Sequence, residues 1–195
     1  MFKTKEAYIS CRKRHPSVLL LGLPVLCFLV GGLLLTGCER NRSGNWERIG
    51  KDLRATFPGV KQISTEELQK WLTGQDTVKP VLIDRREREE YAVSHLPGAF
   101  HANDKEEALK IIEKEGRGRP VVVYCSVGYR SSVLARQLGK EGLTNVYNLE
   151  GSIFKWANEG RPVYQGDRQV NVVHPFDSKW RKFLDRKLWY TPTRQ

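Results

Sequence analysis

Between Val60 and Trp156, short apolar runs alternate with stretches of helical period, and this alternation restricts the fold more than any other feature of the chain. "VKQI" (Val60–Ile63), "PVLID" (Pro80–Asp84), "PVVVYC" (Pro120–Cys125) and "NVYNLEG" (Asn145–Gly151) have strand lengths and composition, and Ala99–Ala102 is a further short strand. Between them, "STEELQKWL" opens with Ser64 and Glu67 at capping-box spacing and places Leu68, Trp71 and Leu72 on one face. "REREEYAV" is a highly charged helix, "DKEEALKIIEKEG" a helix ending at Gly116, and "YRSSVLARQLGKEG" an amphipathic helix ending near Gly142. "SIFKWANEG" is a short last helix. Strands alternating with helices predict an α/β domain, with a mainly parallel central sheet flanked by helices. "PVVVYC" is the most apolar strand and belongs at its centre. There is no internal repeat and no low-complexity segment.

The segments around this core read differently. Residues 1–37 carry five basic side chains up to Arg14 and one acidic, followed by the apolar run Ser17–Gly37. A basic start and an apolar run make an export signal or a membrane anchor. The run ends in "LTGC" (Leu35–Cys38), which resembles the lipobox of bacterial lipoproteins; that resemblance implies a signal cut before Cys38 and a lipid on its sulfur. The alternative is an uncleaved single-pass inner-membrane helix, since the run has about the 20 residues needed to span a bilayer. Either way the basic start stays cytoplasmic and the domain lies on the extracytoplasmic, periplasmic side, although Arg40, Arg42, Arg48 and Lys51 just past the run work against that rule. Glu39 after the cysteine, rather than aspartate, favours the outer membrane if Cys38 is lipidated. Residues 38–55 are polar and read as a tether to a domain over 56–165.

The tail, 166–195, begins irregularly and continues as "DSKWRKFLDRKLWY". A helix there puts Trp180, Phe183, Leu184 and Leu188 on one face and Lys179, Arg181, Lys182, Arg186 and Lys187 around it. Such a helix lies on an anionic membrane or packs on the domain. The chain's net charge is +11; the 28 basic and 21 acidic residues after position 37 leave +7. A basic surface attracts anions, acidic headgroups or nucleic acid. No nucleic-acid motif is present: "GRGRP" is a helix-to-strand loop, and the five tryptophans are scattered.

Four cysteines occur, of which Cys11 and Cys27 lie in the leader and Cys38 is the lipidation candidate. Cys125 is left alone in the domain, so there is no disulfide framework and no C-x-x-C dithiol. It ends the central strand, where ligands of open α/β sheets bind. The loop "SVGYR" then enters a helix, whose first N–H groups favour an anion beside the sulfur. Arg130 adds fixed positive charge, and Gly128 permits a tight loop. Together they predict a thiol pKa below the free value of about 8.5. The spacing is C-x4-R; in C-x5-R phosphatases the loop is one residue longer and wraps a phosphate. The smaller bowl suits a single terminal sulfur.

"CSVGYRS" resembles the active loop of single-domain rhodaneses, the thiosulfate and persulfide sulfurtransferases. "VLIDRREREEYAVSHLPGA" (Val81–Ala99) is similar to that family's upstream segment, and "VYNLEGSIFKW" (Val146–Trp156) to its closing segment. The resemblance runs from about Val60 to Val163. It implies a rhodanese-like fold and Cys125 as a nucleophile that carries sulfane sulfur as a persulfide. It also implies that Ser126, Val127, Gly128, Tyr129 and Arg130 form the binding loop, and that Asp84 and Arg86 brace its rim. His95 matches that family's histidine before Pro97-Gly98 and is expected to be structural, bonded to backbone, rather than catalytic. Arg85, Ser94 and Ser152 depart from the family pattern, which has a small apolar residue and two glycines there. The donor is a small sulfur-containing anion such as thiosulfate, the acceptor cyanide or a thiol, and no metal or organic cofactor is implied. The alternatives are a non-catalytic binding module with the same fold and, disfavoured by C-x4-R, a small phosphatase or arsenate reductase.

Overall fold

The computed structural model describes residues 37–75 and 78–192, with side chains from Trp46 onward. The export signal or anchor placed at residues 1–37 falls almost wholly outside the described residues. Cys38 sits in the first turn of the first helix. Among the described residues, no helix is long and apolar enough to cross a membrane.

Five strands form one parallel sheet: β1 (Lys61–Ile63), β2 (Val81–Asp84), β3 (Phe100–His101), β4 (Val121–Tyr124) and β5 (Val146–Leu149), in the order β1-β5-β4-β2-β3. The most apolar strand is therefore central. β4 is buried on both faces, as a parallel sheet covered by helices requires. Its side chains divide by the strand's period of two. Val121 and Val123 join Val81, Ile83 and Val146 against Ala108, Ile112, Leu134 and Leu138. Val122 and Tyr124 face the other way, toward Leu68, Ile153, Phe154 and Trp156.

The helices follow the sequence pattern: α2 (Thr65–Thr73), α3 (Arg88–Val93), α4 (Lys105–Glu115), α5 (Tyr129–Lys140) and α6 (Ser152–Asn158). Ser64 caps α2 by accepting the Glu67 N–H at 3.0 Å, and Asp104 caps α4 by accepting that of Glu107 at 2.8 Å. Gly116, with φ 109°, ends α4 in a conformation open to glycine.

The chain departs from its sequence reading at both flanks. The stretch 38–55 is no loose tether: Gly37–Thr56 is a 20-residue helix, α1. Trp46, Ile49, Leu53 and Phe57 fall at helical spacing, and this stripe is what packs on the domain. Trp46 stands 5.6 Å from Phe183, and Arg54 pairs with Glu150 at 3.0 Å. Polar residues between the stripe positions mask it in the sequence.

In the tail, β6 (Val163–Gln165) and β7 (Arg168–Val170) form an antiparallel hairpin where irregular chain was expected. The amphipathic helix does not form. Arg181–Phe183 and Arg186–Leu188 are single 3-10 turns separated by extended Leu184. Asn158 causes the break: its amide donates to the Phe183 carbonyl at 2.7 Å and accepts the Asp185 N–H at 2.8 Å, capturing groups a helix would need. Trp180, Phe183, Leu184 and Leu188 pack on the domain with Trp189. The apolar side chains that a membrane-surface helix would use are thus engaged in the core.

Because α1 contributes core rather than linker, Trp46→Ala lowers stability by about 3 kcal/mol, the usual order for emptying a buried aromatic site. Urea unfolding of the purified chain checks this; an unchanged midpoint would mean that the helix is not part of the cooperative unit.

Candidate active site

Cys125 leaves β4 at the carboxyl edge of the sheet, 1% exposed. The turn after it is set by backbone bonds. The N–H of Cys125 donates to Ser152 Oγ at 3.1 Å, and the carbonyls of Cys125 and Ser126 each accept an N–H from α6, from Ile153 and Phe154, at 3.2 Å. Gly128 then reverses the chain at φ 116° and caps α5. Any Cβ there would meet Leu53 Cδ1 of α1 at 2.8 Å, so glycine is needed for both conformation and space. The result directs the Gly128 N–H at the sulfur, 3.1 Å from Sγ.

Ser131, one turn into α5, places its hydroxyl 3.4 Å from Sγ and 2.6 Å from Asn148 Oδ1. A hydroxyl has one proton, so Ser131 donates to the amide oxygen or to the sulfur, not to both at once. Asn148 is held in turn by Gln62 Oε1 at 2.7 Å. Burial pushes the Cys125 thiol up; the positive charge of Arg130 and the hydrogen bonds from Ser131 and Gly128 outweigh it and leave the thiol below its ordinary value.

Arg130 is less free than its place in the loop suggests. Its Nη1 and Nη2 donate to the two Glu90 oxygens at 2.8 and 3.0 Å, and Nη2 also to Ser126 Oγ at 3.0 Å. Ser126 Oγ donates to Glu90 Oε1 at 3.0 Å, closing the ring of contacts. Burial raises the Glu90 carboxyl, and the bond and charge of Arg130 reverse this, so Glu90 stays below the usual carboxylate range. A cavity of about 220 Å³ opens over the sulfur, lined by Cys125, Ser126, Val127, Tyr129, Arg130, Phe176 and Trp180. Among the described residues, no cluster of three His, Cys, Asp or Glu side chains could hold a metal ion.

A profile of the rhodanese-like domain matches residues 64–159. A protein of Allochromatium vinosum named a sulfurtransferase is 33% identical over 104 residues, covering 53% of this chain and 94% of that protein. The chain belongs to the rhodanese-like family. A Bacillus subtilis relative, YqhL, is 39% identical over 82 residues, and this rhodanese-like chain covers 42% of itself and 64% of that protein in the match. The thiosulfate sulfurtransferase of Pseudomonas aeruginosa superposes with a TM-score of 0.53 at 23% identity, over 71% of this chain and 26% of the other, a likeness of fold.

Within the rhodanese-like domain, Ser126, Val127, Gly128, Tyr129 and Arg130 lie in the loop and first turn of α5 that follow Cys125, with the Gly128 N–H bonded to its sulfur. Asp84 and Arg86 do not stand on the rim. Both are wholly buried at the end of β2, the guanidinium paired with the carboxylate at 2.6 and 2.9 Å and donating to the Ser94 carbonyl at 2.6 Å. β2 lies beside the central strand, so its last residue faces core rather than solvent, and the pair braces the α3 loop from within. Arg85 opens on a neighbouring cleft of about 450 Å³ with Lys105, Arg130 and Lys140, rather than on the cavity over the sulfur. His95 bonds the Leu96 carbonyl at 2.9 Å and stacks on Tyr91. Ser94, at φ −168°, is in extended backbone that needs no glycine.

Glu90, Ser131, Asn148, Ser152, Phe176 and Trp180 were not among the residues singled out for the site. Glu90 had a signal, an acid in the charged helix after β2. Phe176 and Trp180 had none.

The thiolate assignment has a direct readout. Alkylation of Cys125 by iodoacetamide, followed against pH, has its midpoint below the free-thiol value of about 8.5. Arg130→Met and Ser131→Ala each move it upward, because each removes a group that favours the charged sulfur. A wild-type midpoint at or above the free value would contradict the assignment.

Proposed function

We propose that this chain is a sulfurtransferase that carries sulfane sulfur on Cys125. What supports this best is a thiol held toward its thiolate form by the Gly128 N–H, the Ser131 hydroxyl and Arg130, at the floor of a cavity. The name of the Allochromatium relative agrees with it. The Cys125 thiolate attacks the outer sulfur of a donor such as thiosulfate. The Sγ–S bond forms, the donor's S–S bond breaks, and sulfite leaves with that bond's electron pair. The terminal sulfur then passes to cyanide or a thiol, and the Cys125 thiolate returns. Splitting the transfer into two displacements is the gain from covalent catalysis. The loop N–H of Gly128 and the start of α5 stabilise negative charge on the carried sulfur. The sulfur is carried by the cysteine itself, so this chemistry calls for no cofactor. Asp84 and Arg86 act as positioning residues behind the loop.

We further propose that the domain is tethered at a membrane on its extracytoplasmic side, as a lipoprotein modified at Cys38. The basic start, the apolar run Ser17–Gly37 and "LTGC" support this.

Two experiments test these proposals. The purified full-length chain, incubated with thiosulfate, gains the mass of one sulfur atom, loses it on addition of cyanide, and yields thiocyanate; Cys125→Ser does none of these. A folded chain with a reactive thiol that takes no sulfur from thiosulfate or from a persulfide would leave the binding-module alternative standing. In cells fed an alkyne fatty acid, the chain takes up label and Cys38→Ser does not; label-free wild type would favour the uncleaved anchor.

A further inference from the structure

The cavity over Cys125 is built by two distant parts of the chain. The loop supplies Cys125, Ser126, Val127, Tyr129 and Arg130; the tail supplies Phe176 and Trp180. The tail reaches this position through a strap whose two ends are fixed. At one end Val173 is fully buried; its N–H donates to the Leu188 carbonyl at 2.7 Å, and its carbonyl accepts from Tyr190 at 3.0 Å. At the other, Asp177 Oδ1 accepts the N–H groups of Lys179 and Trp180 at 2.8 and 2.9 Å. Between them Phe176 has φ 63°, a left-handed conformation that a bulky side chain rarely takes. That turn is braced by the Phe176 N–H donating to His174 Nδ1 at 3.1 Å, and it sets the ring 4.4 Å from the Arg130 guanidinium carbon. Phe176 is 37% exposed, so its burial in a core does not explain the costly conformation; its placement over the cavity does.

The walls decide what can enter. Among the described residues, Arg130 is the one cation lining the cavity; two of its nitrogens are committed to Glu90 and its face is near Phe176. A small dianion such as thiosulfate would shed its water among mostly apolar walls and find a cation already largely neutralised, which is unfavourable. A donor with one negative charge and a ring fits both features: the ring lies against Phe176 and Trp180, and the charge near Arg130.

We propose that the strap around Phe176 and Trp180 makes this site select aromatic, singly charged sulfane-sulfur donors, of which aryl thiosulfonates are the simplest, over inorganic thiosulfate. This rests on the sulfurtransferase function proposed above and names its donor class. In the loading step the Cys125 thiolate attacks the terminal sulfur of Ar–SO2–S⁻. The Sγ–S bond forms, the S–S bond breaks, and the arylsulfinate leaves with the electron pair; two negative charges enter and two remain, one on the persulfide and one on the sulfinate.

The test uses the full-length chain, cyanide as acceptor, and three donors: benzenethiosulfonate, methanethiosulfonate and thiosulfate. The quantity read is the ratio of kcat/KM for the benzene over the methane compound, compared between wild type and variants, so that the intrinsic reactivity of the two donors cancels. In Phe176→Ala/Trp180→Ala the ratio falls about tenfold, the size of one good aromatic contact. Phe176→Ala alone, at a partly exposed position, gives a smaller fall and keeps the test intact if the double variant does not fold. In both variants thiosulfate gains relative to benzenethiosulfonate. A ratio within about twofold of wild type in the variants overturns the proposal while leaving sulfur transfer in place. Failure of all three donors to load Cys125 overturns this inference; failure of a persulfide to load it as well overturns the proposed function.

Discussion

The N–H of Cys125 bonded to Ser152 Oγ, with the carbonyls of Cys125 and Ser126 bonded to the first N–H groups of α6, fixes the direction in which the loop leaves the sheet. Every later feature of the site follows from that direction. With two carbonyls turned toward α6, the chain reaches Gly128 with its N–H facing the sulfur, and α5 starts with its positive end beside it. Ser152 contributes this bond from φ 51°, a left-handed conformation that costs a serine about 1 kcal/mol or more. Its hydroxyl offsets that cost by serving Cys125 and by donating to the Leu149 carbonyl at 3.2 Å. The departure from glycine at this position is therefore structural support for the backbone of Cys125.

Charge at the site is arranged in two layers. The inner layer is the Asp84–Arg86 pair, without access to water. Burial alone would lower the Arg86 guanidinium, but Asp84 holds it firmly charged. Its role is to hold the segment from β2 through Ser94 against the sheet. The outer layer is the Glu90, Arg130 and Ser126 group, which binds α3 to the loop after Cys125. Arg130 lowers the thiol, yet Glu90 and Phe176 limit what it offers to an incoming anion. The same residue thus serves the sulfur more than an incoming anion, which in the proposed reading leaves the choice of donor to the tail.

Much of this was legible locally. The five strands and the five helices of the sheet region follow from apolar runs, caps and glycines, because each signal is contained within a few residues. Cys125, Gly128 and Arg130 were legible because a thiol, a tight turn and a cation sit within six positions. Other features were hidden. The α1 stripe, Trp46 to Phe57, is diluted by polar residues. Asp84 and Arg86 look like surface charges until β3 and α3 close over them. The tail has a helical pattern, but Asn158, in another helix, takes backbone groups that a continuous helix would use.

The sequence by itself determined the class of fold, the central strand, and the place of Cys125 at that strand's carboxyl end. Those depend on periodicity and near-neighbour chemistry, which a linear chain displays. Tertiary structure alone decided which carboxylate meets Arg130, which hydroxyls reach the Cys125 sulfur and backbone, and that Phe176 and Trp180 wall the cavity some fifty residues after the cysteine. Those contacts join groups from the end of β4, α3, α5, α6 and the tail. No local propensity encodes them; they follow from packing the elements around one sheet and from satisfying the polar groups left at its carboxyl edge.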